Sequence, residues 1–312
     1  GEAFNIGFSI GIAPFNGTSL TIDDILNAAD SACNKAKTLG NSAYFIHEFD
    51  NETVGQREIE KQWINKINSA LDEQRMRLYA QQVIPLNETD GISHYEVLVR
   101  MEDEQGGLVL PMAFLPAAER YHLIAKIDRW VFEQVLQILE TNNQESKIAC
   151  SINLSGQSIH DREFREFLEK KLIETNAPLD SLCIEISETD VLSNFSDVVS
   201  FINSVHHLGV KFALDSYGVA STSFNYLQSL PVDCVKLDGT LIRNILSGQV
   251  EMAIVEGLNL VAQSMGKKTV AKCVENKETF NKLKEIGVNY AQGFELDTPQ
   301  PFAPRLKLSK TG

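Results

Sequence analysis

Lys211-Phe212-Ala213-Leu214-Asp215-Ser216-Tyr217-Gly218 is an apolar run that ends in an acid, a hydroxyl, an aromatic ring and a glycine. Such a run reads as a buried parallel strand that delivers Asp215 to one edge of a sheet. The chain repeats this theme on either side: short apolar strands, each ending in a carboxylate, amide or lysine, with helical stretches between. The strand ends are Glu96, Asn153, Glu185, Asp215, Lys236 and, less typically, Lys272. In an α/β barrel that edge carries the chemistry.

Working outward, strands are predicted over 78–84, 95–101, 148–153, 182–186, 211–215, 233–237 and 268–272, with a last short one near Tyr290. Helices are predicted over 111–121, 126–141, 158–174, 197–208, 222–229, 250–265 and 277–286. This alternation argues an α/β fold, and about eight strands favour a closed (β/α)8, TIM-like barrel. The first two strands are joined by a short polar turn and read as a hairpin, so one barrel strand is expected to run antiparallel. Ahead of the barrel lie a strand over 4–13, a helix over 21–39 and a strand over 44–49, too few elements to enclose a core of useful size. Residues 52–75 read as an amphipathic helix with Ile59, Trp63, Ile67 and Leu71 four residues apart. The expected organisation is a fragment over 1–50, a connecting helix over 51–75 and a barrel domain over 76–312.

Of the 312 residues, 43% are hydrophobic and 22% charged, ordinary values for a globular protein. The formal net charge of −14 argues against a protein that coats duplex nucleic acid, which needs a basic footprint. It leaves room for a small phosphate ligand, because a local cation overrides the global field. The five cysteines, Cys33, Cys150, Cys183, Cys234 and Cys273, form no CxxC pair and read as buried reduced thiols of a cytoplasmic protein. No apolar run is long enough to span a bilayer and no signal peptide is visible. Position 1 is Gly, so a membrane tether upstream of it is compatible with the sequence.

The wording of the strand ends resembles the EAL domain family, the cyclic di-GMP phosphodiesterases. The matching stretches are Glu96-Val97-Leu98-Val99-Arg100, Ile152-Asn153-Leu154-Ser155, Glu185-Ile186-Ser187-Glu188, Leu214-Asp215, Val235-Lys236-Leu237-Asp238 and Ala291-Gln292-Gly293-Phe294. The N-terminal fragment, through Ser9-Ile10-Gly11-Ile12-Ala13, Ala29-Asp30, Lys35-Ala36-Lys37 and Gly40-Asn41, resembles the C-terminal end of a GGDEF domain. That family's nucleotide-binding signature lies upstream of such a stretch, so no cyclase activity is expected. Hydrolysis of a phosphodiester by such a barrel asks for two divalent ions, a metal-bound water and positive charge on the developing phosphorane. Mg²⁺ and Mn²⁺ take oxygen ligands. By resemblance, Glu96, Asn153, Glu185 and Asp215 match the ligands of the first ion, Lys236 the lysine that orients the attacking water, and Glu188 the acid that anchors the loop after Asp215. Gln81, Leu98, Arg100, Asp238, Gln292, Gly293 and Phe294 match ligand-binding positions, with Lys272 added beside them.

Two positions depart from the family, and both touch the second ion. The family's second aspartate is Ser216 here, and its Ala-Glu-Gly-Val-Glu stretch reads Ala271-Lys272-Cys273-Val274-Glu275. At 4 Å and an effective dielectric near 20, unit charges interact by about 4 kcal/mol, so a lysine opposes a divalent ion by roughly twice that. The resemblance therefore implies a degenerate member: a cyclic di-GMP receptor with one Mg²⁺ or Mn²⁺ at most, signalling through a downstream protein, with a homodimer left open. The alternatives are an active or weakly active phosphodiesterase yielding pGpG, and a scaffold that binds no nucleotide.

Overall fold

The computed structural model describes residues 10–14, 22–38, 44–46, 52–87, 91–142, 147–219 and 225–302. The chain divides into two units, residues 1–65 and 66–312. In the first, Ile10–Ile12 pairs in parallel with Tyr44–Ile46. The helix Ile22–Thr38 connects them and buries Ala28, Ala32 and Ala36, one residue per turn. A Cβ at Gly11 would fall 2.0 Å from the carbonyl oxygen of Ala29, so strand and helix meet backbone to backbone. The remainder of the two predicted strands, 4–9 and 47–49, lies outside the described residues. The predicted connecting helix is present over Glu52–Asp72.

The second unit is an eight-stranded barrel: β1 (Met76–Pro85), β2 (Ser93–Glu102), β3 (Ile148–Asn153), β4 (Leu182–Ser187), β5 (Lys211–Tyr217), β6 (Cys234–Leu237), β7 (Lys268–Ala271) and β8 (Tyr290–Ala291). From β2 to β8 each strand is parallel to the next. β1 closes the barrel antiparallel to both β2 and β8, which is the expected hairpin. β5 shows why the parallel strands are apolar throughout: Phe212, Ala213 and Leu214 are all buried, because helices cover one face and the barrel core the other. The helix Ile124–Asn142 supplies part of that cover through Ile127, Val131, Val135 and Leu139.

The helices differ from the predicted ones in four places. The stretch expected as one helix over 158–174 is two, Gly156–His160 and Arg162–Glu174, divided at Asp161, whose carboxylate accepts from the Phe164 N–H as an N-cap. Glu188–Ser193 and Gly239–Arg243 are short helices that leave β4 and β6 directly, capped by Ser187 and Asp238. The helix expected over 222–229 is seen over Asn225–Ser229, its start lying outside the described residues. No disulfide joins the cysteines, but only Cys150 is buried; Cys33, Cys183, Cys234 and Cys273 are partly accessible, which corrects the expectation that all five are buried. Among the described residues no helix is long and apolar enough to cross a membrane.

Candidate functional site

The predicted strand-end residues converge at the C-terminal mouth of the barrel. Register sets them side by side: Gln81 opposite Glu96 on β1 and β2, Asn153 beside Glu185 on β3 and β4, and Ser187 beside Asp215 on β4 and β5. Lys236 is buried at the centre. Its ammonium donates to Glu96 Oε2 at 2.7 Å and to both oxygens of Glu185 at 2.8 and 2.6 Å. Asn153 Nδ2 donates to the other Glu96 oxygen at 2.9 Å. Gln292 Nε2 donates to Glu96 Oε2 at 2.7 Å and to Gln81 Oε1 at 3.0 Å, while Gln81 donates to the Asp297 carbonyl at 2.7 Å. A continuous buried polar network thus runs from β8 through β1 and β2 to β4 and β6.

Burial alone would push both glutamates up and Lys236 down. At Glu96 the burial penalty is outweighed by the Lys236 charge and three side-chain hydrogen bonds, and its carboxyl falls to about 2. At Glu185 burial prevails, supported by the neighbouring Glu96 and Asp215 charges, and its carboxyl rises to about 7. Lys236 is held above its ordinary value because the carboxylates around it overcome desolvation. The two acids share one cation, which meets one oxygen of Glu96 and both oxygens of Glu185.

On the β5–β7 side, Lys272 donates to both Asp215 oxygens, at 2.7 and 2.8 Å. Ser216 Oγ lies 3.4 Å from Asp215 Oδ2. Ser216 and Cys273 both have φ of 57°, the left-handed region that residues other than glycine seldom occupy.

Glu188 is buried and accepts from the Gly218 N–H at 3.2 Å and from the Tyr226 hydroxyl. It thereby bonds to a residue on either side of 220–224. Tyr226 was not among the predicted residues, since its role depends on a contact that no local pattern records. Asp128, also not predicted, is buried behind β3, where its Oδ2 accepts from Ser155 N–H (3.2 Å), Ser155 Oγ (2.9 Å) and Ser158 Oγ (2.6 Å). That cluster fixes the chain just beyond Asn153.

The remaining predicted residues lie farther out. Arg100 Nη1 donates to the Val99 carbonyl at 2.8 Å, and its guanidinium sits 5.6 Å from the Tyr79 ring centre. Leu98 is half-buried and Phe294 is 68% exposed. A Cβ at Gly293 would lie 2.1 Å from the Val274 carbonyl oxygen, so a glycine is required where the two strand-end segments cross. Asp238 spends its carboxylate on the Thr240 N–H and hydroxyl, at 2.8 and 2.6 Å, and works as a cap.

Glu96 and Glu185 are engaged by Lys236, and Asp215 by Lys272 through both oxygens. Among the described residues no three His, Cys, Asp or Glu side chains gather where they hold one ion. In this arrangement the mouth does not fit a two-ion centre.

A closed barrel with one antiparallel strand, and this set of polar side chains at its C-terminal mouth, defines the class. The EAL domain family model matches residues 64–299, and the chain belongs to that family. It is 35% identical over 302 residues to the cyclic di-GMP phosphodiesterase PdeB of Shewanella oneidensis, covering 96% of this chain and 35% of that protein. Among solved structures, the FimX EAL domain of Pseudomonas aeruginosa bound to c-di-GMP is 29% identical with a TM-score of 0.72, over 77% of this chain and 96% of that one. The PaMucR phosphodiesterase in complex with c-di-GMP is 25% identical with a TM-score of 0.72, over 78% of this chain and 99% of that one. The chain spans about a third of the length of the first curated relatives it matches, at 35%, 33% and 34%.

Proposed function

We propose that the barrel is a cyclic di-GMP receptor that hydrolyses its ligand slowly or not at all and passes the bound state to a downstream protein through surface contacts. The ligand class is supported by the family and by the c-di-GMP complexes of its structural relatives. The observation that carries the loss of hydrolysis is the bidentate Lys272–Asp215 pair. Asp215 is thereby neutralised, and a second divalent ion would meet a cation about 4 Å away, a repulsion of several kcal/mol at an effective dielectric near 20. Ser216 adds no charge to offset it. The Lys272 ammonium instead offers a fixed positive charge to a ligand phosphate. At most one Mg²⁺ or Mn²⁺ enters, and only if Lys236 leaves Glu96 and Glu185. We further propose that residues 1–50 are the end of a GGDEF domain and make no cyclic di-GMP.

A second reading, a working phosphodiesterase, is favoured by the retained Glu96, Asn153, Glu185 and Lys236 and by the relatives' activity. It requires Lys272 to leave Asp215. Calorimetric titration of cyclic di-GMP in EDTA, then in Mg²⁺ or Mn²⁺, with analysis for pGpG, separates the readings. The receptor binds in EDTA and accumulates little pGpG; turnover near one per second, an ordinary enzymatic rate, overturns it. Absence of binding in both conditions points to a scaffold. Ser216→Asp combined with Lys272→Glu is expected to raise metal-dependent hydrolysis above either single change.

A further inference from the structure

The opposite, N-terminal end of the same barrel is not filled. Side chains two residues apart on a strand share a face, so each residue of the mouth has a neighbour directly beneath it. Beneath Asn153, Glu185, Asp215, Lys236 and Lys272 stand Ser151, Cys183, Ala213, Cys234 and Val270. Barrels ordinarily fill this space with layers of bulky branched side chains. Here five of the layer's residues are short, with Val83, His94 and Tyr290 completing it on β1, β2 and β8, and together they line a partly open cavity of about 560 Å³. The cavity ends against Glu185 and Lys236, the underside of the buried salt bridge of the mouth. Its volume lies in the range of small-molecule sites.

Its walls and its rim differ in character. The walls are mainly apolar, with Val83, Val232, Leu182 and Met265 beside three cysteines, and carry His94, Ser151 and Tyr290 as their polar groups. The rim carries three lysines, Lys211, Lys267 and Lys268, against two acids, Asp180 and Asp233. Asp233 is already engaged by Lys211 at 3.2 Å and by the Phe212 N–H at 2.9 Å. Lys267 is 9% exposed and, among the described residues, donates to two carbonyls, of Leu230 at 2.9 Å and Val232 at 3.0 Å. Its charge is thus solvated by dipoles, and its ammonium has a third N–H to give. Lys268 is exposed and has no ion-pair partner among the described residues.

We propose that this cavity is a second ligand site, separate from the nucleotide mouth, for a small organic anion whose apolar body enters the barrel and whose charged group stays at the lysine rim. A bare phosphate is a poor match, because the interior offers it few donors for the water it would lose. The probe is 8-anilinonaphthalene-1-sulfonate, titrated into the whole chain by fluorescence and calorimetry, with N-phenyl-1-naphthylamine, which lacks the sulfonate, as its uncharged counterpart. One sulfonate probe per chain is expected, undisturbed by saturating cyclic di-GMP. Lys268→Glu, an exposed change that leaves the fold intact by circular dichroism, is expected to weaken the sulfonate probe tenfold or more and to leave the neutral probe unchanged. Ala213→Leu, which fills the cavity, is expected to abolish both. No binding to the native chain, displacement by cyclic di-GMP, or equal affinity in native and Lys268→Glu protein overturns the assignment. Should Ala213→Leu fail to fold, the Lys268→Glu comparison decides.

Discussion

The two lysines of the barrel mouth meet the same partners, carboxylates at strand ends, in unlike surroundings. The Lys236 side chain is 3% exposed and its partners Glu96 and Glu185 are 9% and 2% exposed. Lys272 and Asp215 are 23% and 15% exposed. On the deep side no water replaces the cation, so removing it strands two acids in a low dielectric. On the shallow side water takes over much of its work. Lys236 therefore belongs to the frame of the barrel, whereas the shallow position is where residue identity changes with little harm to folding. Ser216 and Lys272, the two positions that the sequence reading singled out, lie on the shallow side.

The strongest attempt to break this comparison is Lys236→Met, expected to destabilise the chain by about 3–5 kcal/mol because the glutamates lose their cation. A urea midpoint that barely moves would remove Lys236 from the frame. Arg100→Ala, at the outer edge of the mouth, is expected to weaken cyclic di-GMP by about 1.5–3 kcal/mol, as for a lost charge-assisted hydrogen bond, with stability unchanged. Calorimetry beside a melting curve reads both halves.

Asp128 sharpens the contrast, being a buried acid with no ion-pair partner among the described residues. Burial, only partly offset by the Ser158 and Ser155 hydrogen bonds, raises its carboxyl from 3.8 to about 6. The folded chain then keeps a proton that the unfolded chain releases. The contribution of this group to stability is full below 3.8 and is lost as pH rises through about 6, the reverse of an ion-paired acid. Asp128→Asn is expected to flatten that slope and gain about 1–3 kcal/mol at pH 7, since all three bonds reach one oxygen that an amide oxygen can replace. Urea midpoints at several pH values check it, and an unchanged slope would show that Asp128 is not its source. The smallest effect is expected from Lys272→Met: under about 1 kcal/mol in stability, as for a part-exposed ion pair, with a measurable loss of nucleotide affinity.

How much of this was legible depended on whether a residue's part is written along the strand or across it. Asn153, Glu185, Asp215 and Lys236 stood out because buried parallel strands are apolar until near their ends, where a residue faces the mouth. Glu96 corrects that reading, since β2 runs on past it to Glu102 and the acid sits within the strand. The antiparallel first strand was legible from the shortness of its turn. Lys272 was legible as a departure, but its bidentate hold on Asp215 is a contact between β5 and the end of β7. Tyr226 on Glu188 and Ser158 on Asp128 are likewise meetings of distant segments. The short helices after β4 and β6 escaped because five or six residues are too few to show a helical period. The N-terminal cavity is a matter of summed volume around a closed ring, which no single strand displays.

The left-handed backbone at positions 216 and 273 also bears on ancestry. Asparagine and aspartate are the residues other than glycine that visit that conformation most, so at 216 an acid fits the backbone better than the serine present. From an AGC or AGT codon, serine reaches aspartate through asparagine by two single-base changes, and lysine reaches glutamate by one. Every intermediate along that path keeps a backbone already shaped for an acid at 216. At 273 the Cys side chain bears a conformational cost that glycine would not, about 1–2 kcal/mol, so selection for stability alone draws that position toward glycine. The route between a cationic and an acidic mouth is short in mutational steps and needs no rebuilding of the chain that carries it.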